Sequence, residues 1–177
     1  MKPRSKKCKY CNDRFTPFNS FQKFCFKEEC IKAHNQTEKA RKATKIKREY
    51  KSNDKSLQKE IAQKTFNTYI RMRDKDLPCI SCGTTNPIQY HAGHFFSQGG
   101  HTFLRFNLWN VHKQCSVCNN WKSGNLANYK EALIKKIGQD RFDWLYKNKH
   151  NESKHHTLEY YKRITKIFKK KTKRLRN

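Results

Sequence analysis

The sequence predicts an α+β fold: a small cross-linked core with flanking helices and a separate module at the N-terminus. Three observations predict it. Eight cysteines fall into four close pairs, Cys8/Cys11, Cys25/Cys30, Cys79/Cys82 and Cys115/Cys118, three spaced C-x2-C and one C-x4-C. Apolar residues recur at helical spacing after Ser56, Asn125 and Thr157, whereas residues 79–125 are rich in Gly, Asn and Pro with short apolar runs, a hairpin pattern. Only 34% of the 177 residues are hydrophobic, too few for one large core.

Cysteines two residues apart form strained disulfides that constrain little, but they suit four thiolates around a tetrahedral zinc. The eight therefore divide into two structural Zn²⁺ sites: Cys79, Cys82, Cys115 and Cys118 in one, Cys8, Cys11, Cys25 and Cys30 in the other. Charge sets the partner class. Forty-one Lys and Arg stand against 14 Asp and Glu, a net +27. Eight thiolates remove eight charges and two zinc ions return four, leaving +23, so the chain stays strongly basic with metal bound. Such a charge favours a polyanion, because Lys and Arg displace condensed counterions from phosphates. An anionic membrane surface is the competitor, but no long apolar segment, lipidation signal or secretory signal supports it. The expectation is a cytoplasmic chain that binds nucleic acid and no membrane.

Residues 1–30 form the first module. Thirteen residues, with Phe15, Pro17, Phe18, Phe21 and Phe24 among them, separate its two cysteine pairs. So short a segment cannot bury a stable core, and metal must supply much of its folding free energy. It reads equally as a zinc finger touching nucleic acid or a partner, and as a zinc-stapled cap. Residues 31–56 lack Pro and Gly and are rich in Lys and Arg. They form a basic helical linker, lying along phosphates or merely solvated.

Residues 57–150 hold the main domain. Leu57, Ile61, Phe66, Tyr69 and Ile70 predict one amphipathic helix ending before Leu77-Pro78. Asn125 is the expected cap of a helix carrying Leu126, Tyr129, Leu133, Ile134 and Ile137 and stopped by Gly138. A shorter helix spans Asp140 to Lys147. In residues 151–177, Thr157 caps a helix with Tyr160, Ile164, Ile167 and Phe168 aligned. The tail KKKTKRLRN has no acid. It is expected to stay disordered until Lys169, Lys170, Lys171, Lys173, Arg174 and Arg176 meet phosphate.

One zinc on the later four cysteines would pin the ends of a loop carrying His91, His94, His101, Asn110 and His112, with Asn119 directly after Cys118. Pinned imidazoles in a very basic chain are the parts of a metal-assisted phosphodiesterase. Water needs a base near neutral pKa, and the scissile phosphate needs a divalent ion to offset developing charge. Side-chain amides ligate a hard ion through oxygen or orient the histidine. His101 and Arg105 are expected at DNA, His112 in packing or behind the site, and Trp109 and Trp121 in the core.

These residues resemble the HNH nucleases, whose ββα-metal fold often carries a structural zinc on two C-x2-C knuckles. The resemblance implies that His94 is the general base, that Asn110 orients its imidazole and that Asn119 ligates a catalytic Mg²⁺ or Mn²⁺. Lys122 is the basic residue common after the knuckle. An acidic ligand often stands directly before the first His of the family, but Gly93 is there. His91 replaces it if a bulge at Ala92-Gly93 turns it inward, placing the ion among His91, His94 and Asn119.

A wider resemblance covers almost the whole chain. RDKDLPCISCGT, HAGH, LRFN, NVHKQCSVCN, KSGN and LIKKIG, with MKPR and the early cysteines, are similar to the phage NinG (Rap) recombination proteins. That resemblance implies a structure-specific endonuclease in the bacterial host cell. It would cut branched DNA such as D-loops and Holliday junctions, with phage or host recombination proteins as further partners. Composition and spacing argue only for a basic, zinc-stapled nuclease. A junction resolvase usually works as a homodimer, though no dimerisation stripe stands out. Two alternatives stay open: a nuclease of this fold acting on linear duplex DNA, and a non-catalytic zinc module that binds nucleic acid or recruits partners.

Overall fold

The computed structural model describes residues 4–152 and 156–176, and the chain divides into two compact units, Met1–Asn53 and Asp54–Asn177. In the first, β1 (Lys6–Lys7) pairs antiparallel with β2 (Arg14–Phe15), and α1 (Glu28–Asn53) follows. Its core is the cysteine cluster itself: Cys8, Cys25 and Cys30 are buried, with Tyr10, Phe15 and Phe24 against them. Cys30 lies in the first turn of α1, so the boundary expected at residue 30 falls inside a helix. Glu28 and Glu29 complement the positive end of that helix.

The second unit begins with α2 (Lys55–Arg73), where the Asp54 side chain accepts from Leu57 N as N-cap. Next come β3 (Tyr90–His94) and β4 (Val111–Cys115), paired antiparallel in unbroken register from Tyr90↔Cys115 to His94↔Val111. They are the only strands among the described residues 79–125, where the sequence pattern predicts more hairpins. The remainder is a long connection with a 3₁₀ turn at Thr102–Leu104 and a π-helical turn at Val117–Trp121. Helices α3 (Leu126–Ile137), α4 (Gln139–Asn148) and α5 (Leu158–Arg174) complete the unit.

Two apolar clusters flank the hairpin. Ala62, Phe66, Tyr69 and Ile70 of α2 meet Tyr161 and Phe168 of α5, with Val111 and Ala92 from the strands. Tyr129, Leu133 and Ile137 of α3 meet Phe142 and Leu145 of α4, with Phe96 and Leu104 from the connection. The same stripe carries α5 beyond its expected end. Thr172 is buried and its hydroxyl donates to the Phe168 carbonyl at 2.7 Å, so the basic tail is helical through Arg174 rather than disordered. Thr157 does cap α5, accepting from Tyr160 N at 3.2 Å. Asn125 does not cap α3. It sits at φ +46° and turns its Nδ2 toward Cys118 Sγ at 3.5 Å. No described helix is long and apolar enough to cross a membrane.

In each cysteine cluster the four Sγ atoms lie within 4.8 Å of one another. Cys8–Cys30 and Cys11–Cys25 stand at 3.7 Å and Cys82–Cys115 at 3.8 Å. A tetrahedron of thiolates about 2.3 Å from zinc has edges of about 3.8 Å, so both groups fit the ion. The polar surroundings fit as well. Cys115 N donates to Cys79 Sγ at 3.2 Å and Cys118 N to Cys115 Sγ at 3.3 Å. Burial first, then the neighbouring sulfurs, pushes the Cys118 thiol up to about 12. Four thiolates therefore need a cation between them.

A second tie crosses the unit at Asp74, directly after α2. This carboxylate is 2% exposed and accepts from Arg73 Nε at 2.8 Å, Arg73 Nη2 at 2.7 Å and the Lys113 backbone N–H at 3.1 Å. Burial would raise its pKa, but His112, Arg73 and Lys136 outweigh that and hold it well below the usual carboxylate range.

Each tie has a measurable consequence. Elemental analysis should return two zinc ions per chain, and Cys115→Ser should lose one of them together with the folded β3–β4 hairpin, read by circular dichroism and proteolysis. Asp74→Ala should lower the unfolding free energy at pH 7 by about 3 kcal/mol in urea titration, because it leaves a largely buried guanidinium without its counter-charge. Since the folded pKa is depressed, the wild-type advantage should persist at neutral pH and disappear as the medium is acidified below the unfolded carboxylate pKa.

Candidate active site

The hairpin and the turn after it bring three of the candidate residues to one cleft. His91 and His94 from β3 and Asn119 from the π-helical turn line a cavity of about 840 Å³, with Asn67 and Arg71 of α2 on its wall. Unbroken strand register excludes the bulge expected at Ala92-Gly93. Strand β3 pairs only with β4, so its outer edge is open, and side chains from opposite faces reach the cleft across it. His91 Nδ1 lies 3.3 Å from Asn119 Nδ2, which also donates to Asn120 Oδ1 at 2.7 Å.

His94 is held from behind. Its Nε2–H donates to the Arg105 carbonyl at 3.0 Å, which leaves the imidazole lone pair on Nδ1. Burial pushes its pKa below the ordinary histidine value, and the Arg105 charge acts the same way, while the carbonyls of Arg105 and Ala92 oppose them. The ring is neutral at pH 7.

Asn110, expected to orient that imidazole, does not touch it. Fully buried, its Oδ1 accepts from Phe96 N at 2.8 Å, and its Nδ2 donates to the carbonyls of Phe96 at 2.9 Å and Leu104 at 3.2 Å. Asn110 thus clamps residues 96–104, and the next residue supplies the carbonyl that holds His94. Its influence on the histidine runs through the backbone.

Arg105 is not at the surface expected for a DNA contact, since it is only 8% exposed. Its Nη1 donates to Gln63 Oε1 at 3.2 Å, and its buried Nε has no partner. Packing under α2 and α5 turns it inward. His101 is likewise engaged internally, with Nδ1 2.7 Å from the Lys149 carbonyl. His112 is 3% exposed and lies outside the cleft, its Nδ1 accepting from Arg73 Nη2 at 3.0 Å. Trp121, expected in the core, is 84% exposed; Trp109 is partly buried, edge-on to Trp144.

Gly93 has a packing reason. A Cβ there would overlap the Gln114 side chain, whose Nε2 donates to Ser81 Oγ at 2.6 Å and to the Gly124 carbonyl at 2.5 Å. Gln114 thereby ties the hairpin to both cysteine knuckles, and no carboxylate fits at 93. None lines the cleft: its one permanently charged side chain is Arg71. The two cysteine clusters are the only groups of three or more His, Cys, Asp or Glu placed to share an ion among the described residues.

The expected DNA-contact residues outside the cleft are accessible. Lys122 is exposed one residue before cleft-lining Ser123. Lys169, Lys170, Lys171, Lys173, Arg174 and Arg176 are all exposed on or just after α5. Lys169, Lys173 and Arg176 border a groove with Lys64, Thr65 and Thr68 of α2. Arg71, Asn67, Asp74 and Gln114 escape sequence reasoning. Only Asp74 leaves a trace there, as an acid just after the last helical apolar residue.

The protein-family model described as Bacteriophage Lambda NinG protein matches residues 1–177. Protein ninG of Escherichia phage 933W is 40% identical over 195 residues, covering 99% of this chain and 96% of that protein. Protein ninG of Escherichia phage lambda is 48% identical over 116 residues, covering 66% of this chain and 56% of that protein. That of Salmonella phage P22 is 44% identical over 118 residues with the same coverage. No solved structure matches the chain. With a match across its full length and relatives of this similarity, the chain belongs to the phage NinG family.

Proposed function

We propose that this NinG chain is an HNH-type endodeoxyribonuclease that hydrolyses phosphodiesters in branched recombination DNA. The observation that carries the reading is His94: a neutral imidazole, fixed through Nε2 so that its lone pair falls on Nδ1, in a cleft shared with His91 and Asn119. The order strand, strand, knuckle, helix agrees with a ββα-metal core. The branched substrate comes from the resemblance to NinG proteins, not from the geometry.

His91 Nδ1 and the Asn119 amide would hold a divalent ion, with the amide turned so that Oδ1 faces it. Such an ion offsets charge on the scissile phosphate. An imidazole-amide pair without a carboxylate suits Mn²⁺ better than Mg²⁺. His94 Nδ1 takes the proton of the attacking water, and the Arg105 carbonyl steadies the imidazolium through Nε2–H. Arg71 offers its guanidinium to the phosphate. The lack of a carboxylate among the cleft-lining residues favours a second reading, a non-catalytic zinc module that binds DNA, and the same experiment separates the two.

Labelled branched and linear DNA of equal sequence should be incubated with the protein in Mg²⁺, in Mn²⁺ and with neither. The nuclease reading expects branched DNA to be cut faster, and Mn²⁺ to outperform Mg²⁺; no cleavage under any condition leaves the binding module. His94→Ala should slow cleavage roughly 10²–10⁴-fold with zinc content and DNA affinity retained. His91→Ala and Asn119→Ala should instead be partly rescued by more Mn²⁺. Because burial disfavours the imidazolium, the wild-type rate should stay level down to about pH 6.5 and fall only below it.

Arg71→Ala should cost about 10²-fold in rate while leaving the pH profile unchanged, since it removes charge stabilisation rather than the base. Arg71→Lys should recover part of that loss. Single-turnover kinetics at saturating protein check both variants, and equal rates for all three proteins would remove Arg71 from the site.

A further inference from the structure

The N-terminal module holds three phenylalanines that no core claims, Phe18, Phe21 and Phe26, and the first two share one loop. Phe18 is 88% exposed and Phe21 86%, while Phe15 and Phe24 of the same stretch lie against the cysteines and Pro17 is buried. Apolar rings presented to water in this way mark an interaction surface. The loop that carries them is ordered in advance. Asn19 Oδ1 accepts from Phe21 N and Gln22 N, each at 3.0 Å. Gln22 Oε1 accepts from Phe18 N at 2.6 Å, and its Nε2 donates to the Phe24 carbonyl at 2.8 Å. Lys6 Nζ donates to the Ser20 carbonyl at 2.5 Å. The backbone around both rings is therefore fixed before a partner arrives, which reduces the entropy lost on binding.

Charge selects the partner. From Arg4 to Lys27 there are seven Lys and Arg and one acid, Asp13, which Lys27 holds at 2.6 Å. Extended to Cys30 the module gains Glu28 and Glu29, one zinc with four thiolates subtracts two charges, and it remains at +2. Arg4, Lys7, Lys9, Arg14 and Lys23 are all exposed. An apolar protein face would cover the rings but leave these cations to be desolvated without compensation. Unpaired DNA offers a π-face to each ring and phosphates to the cations. In a fully paired duplex the bases are already stacked on one another and give the rings nothing to cover.

We propose that Phe18 and Phe21 form a base-stacking tip with which the N-terminal module grips unpaired nucleobases in single-stranded or branched DNA. The proposal concerns binding by the first unit, so it stands or falls separately from cleavage in the second.

The test is fluorescence anisotropy with the full-length, zinc-loaded protein at one fixed salt concentration, without added Mg²⁺ or Mn²⁺. The probes are a duplex with a short single-stranded gap and the fully paired duplex of the same sequence. Phe18→Leu/Phe21→Leu keeps the rings' apolar character and removes their π-faces. It should weaken binding to gapped DNA at least about tenfold and leave paired DNA within about twofold. Phe18→Tyr/Phe21→Tyr should bind both DNAs as the wild type does. A 2-aminopurine in the gap should be quenched by the wild type and not by the leucine variant. Wild-type affinity for gapped DNA in the leucine variant overturns the proposal, and so does an equal loss on both DNAs.

Discussion

Everything in the second unit hangs on one closed ring of chain. Thirty-two residues separate Cys82 from Cys115, and the four sulfurs of Cys79, Cys82, Cys115 and Cys118 gather within 4.8 Å. An isolated two-stranded hairpin is marginal in water. Here its far end is tied, because Cys115 is the last residue of β4 and its N–H donates to Cys79 Sγ. Gln114, one residue earlier, repeats the tie through Ser81 and Gly124. The strand that carries His91 and His94 is thus clasped from both sides of the knuckle pair, and Gly93 is the residue that gives Gln114 room.

At the opposite end of the hairpin the constraint is electrostatic. Asp74 collects Arg73, the Lys113 backbone and the charge of Lys136 in a site almost closed to water. Arg73 Nη2 continues to the Val111 carbonyl at 2.8 Å and to His112. Helix α2 is thereby fixed to β4 as well as packed on it, and Arg71 and Asn67 are carried on the same helix. The position of the cleft wall follows from the ion pair and the position of the histidines from the cysteine cluster. Neither alone would place Arg71 in the same cleft as His94.

Much of this is legible in the residues. Helical spacing of Phe66, Tyr69 and Ile70, of Tyr129, Leu133 and Ile137, and of Ile164, Ile167 and Phe168 marks the three helices that enclose the hairpin. Cysteine spacing marks what closes it. The failures share a cause. Asn125, Asn110 and Arg105 are short-range choices in sequence whose partners lie far away: a thiol seven residues back, two carbonyls across a loop, a glutamine 42 residues earlier. Local rules make Asn125 a cap and Arg105 a surface cation, and tertiary contacts override both. The KKKTKRLRN tail misleads for another reason. Its charges hide one small residue, Thr172, that continues the buried stripe of α5.

The arrangement also separates charge from chemistry. Most of the net +27 resides on surfaces outside the cleft, much of it on α1, on α5 and around the first cysteine cluster. Inside the cleft stand one guanidinium, two imidazoles and amides. Long-range attraction for phosphate is screened over about 10 Å at ordinary ionic strength, so under the proposed function it would bring DNA to the molecule without choosing an atom. Near His94 the selecting forces are short: a carbonyl at 3.0 Å that fixes the tautomer, and burial that keeps the ring neutral. A cleft crowded with lysines would depress the histidine further and weaken it as a base. With the cations outside and Arg105 turned beneath the site, a very basic chain retains a neutral imidazole that is free to accept a proton at pH 7.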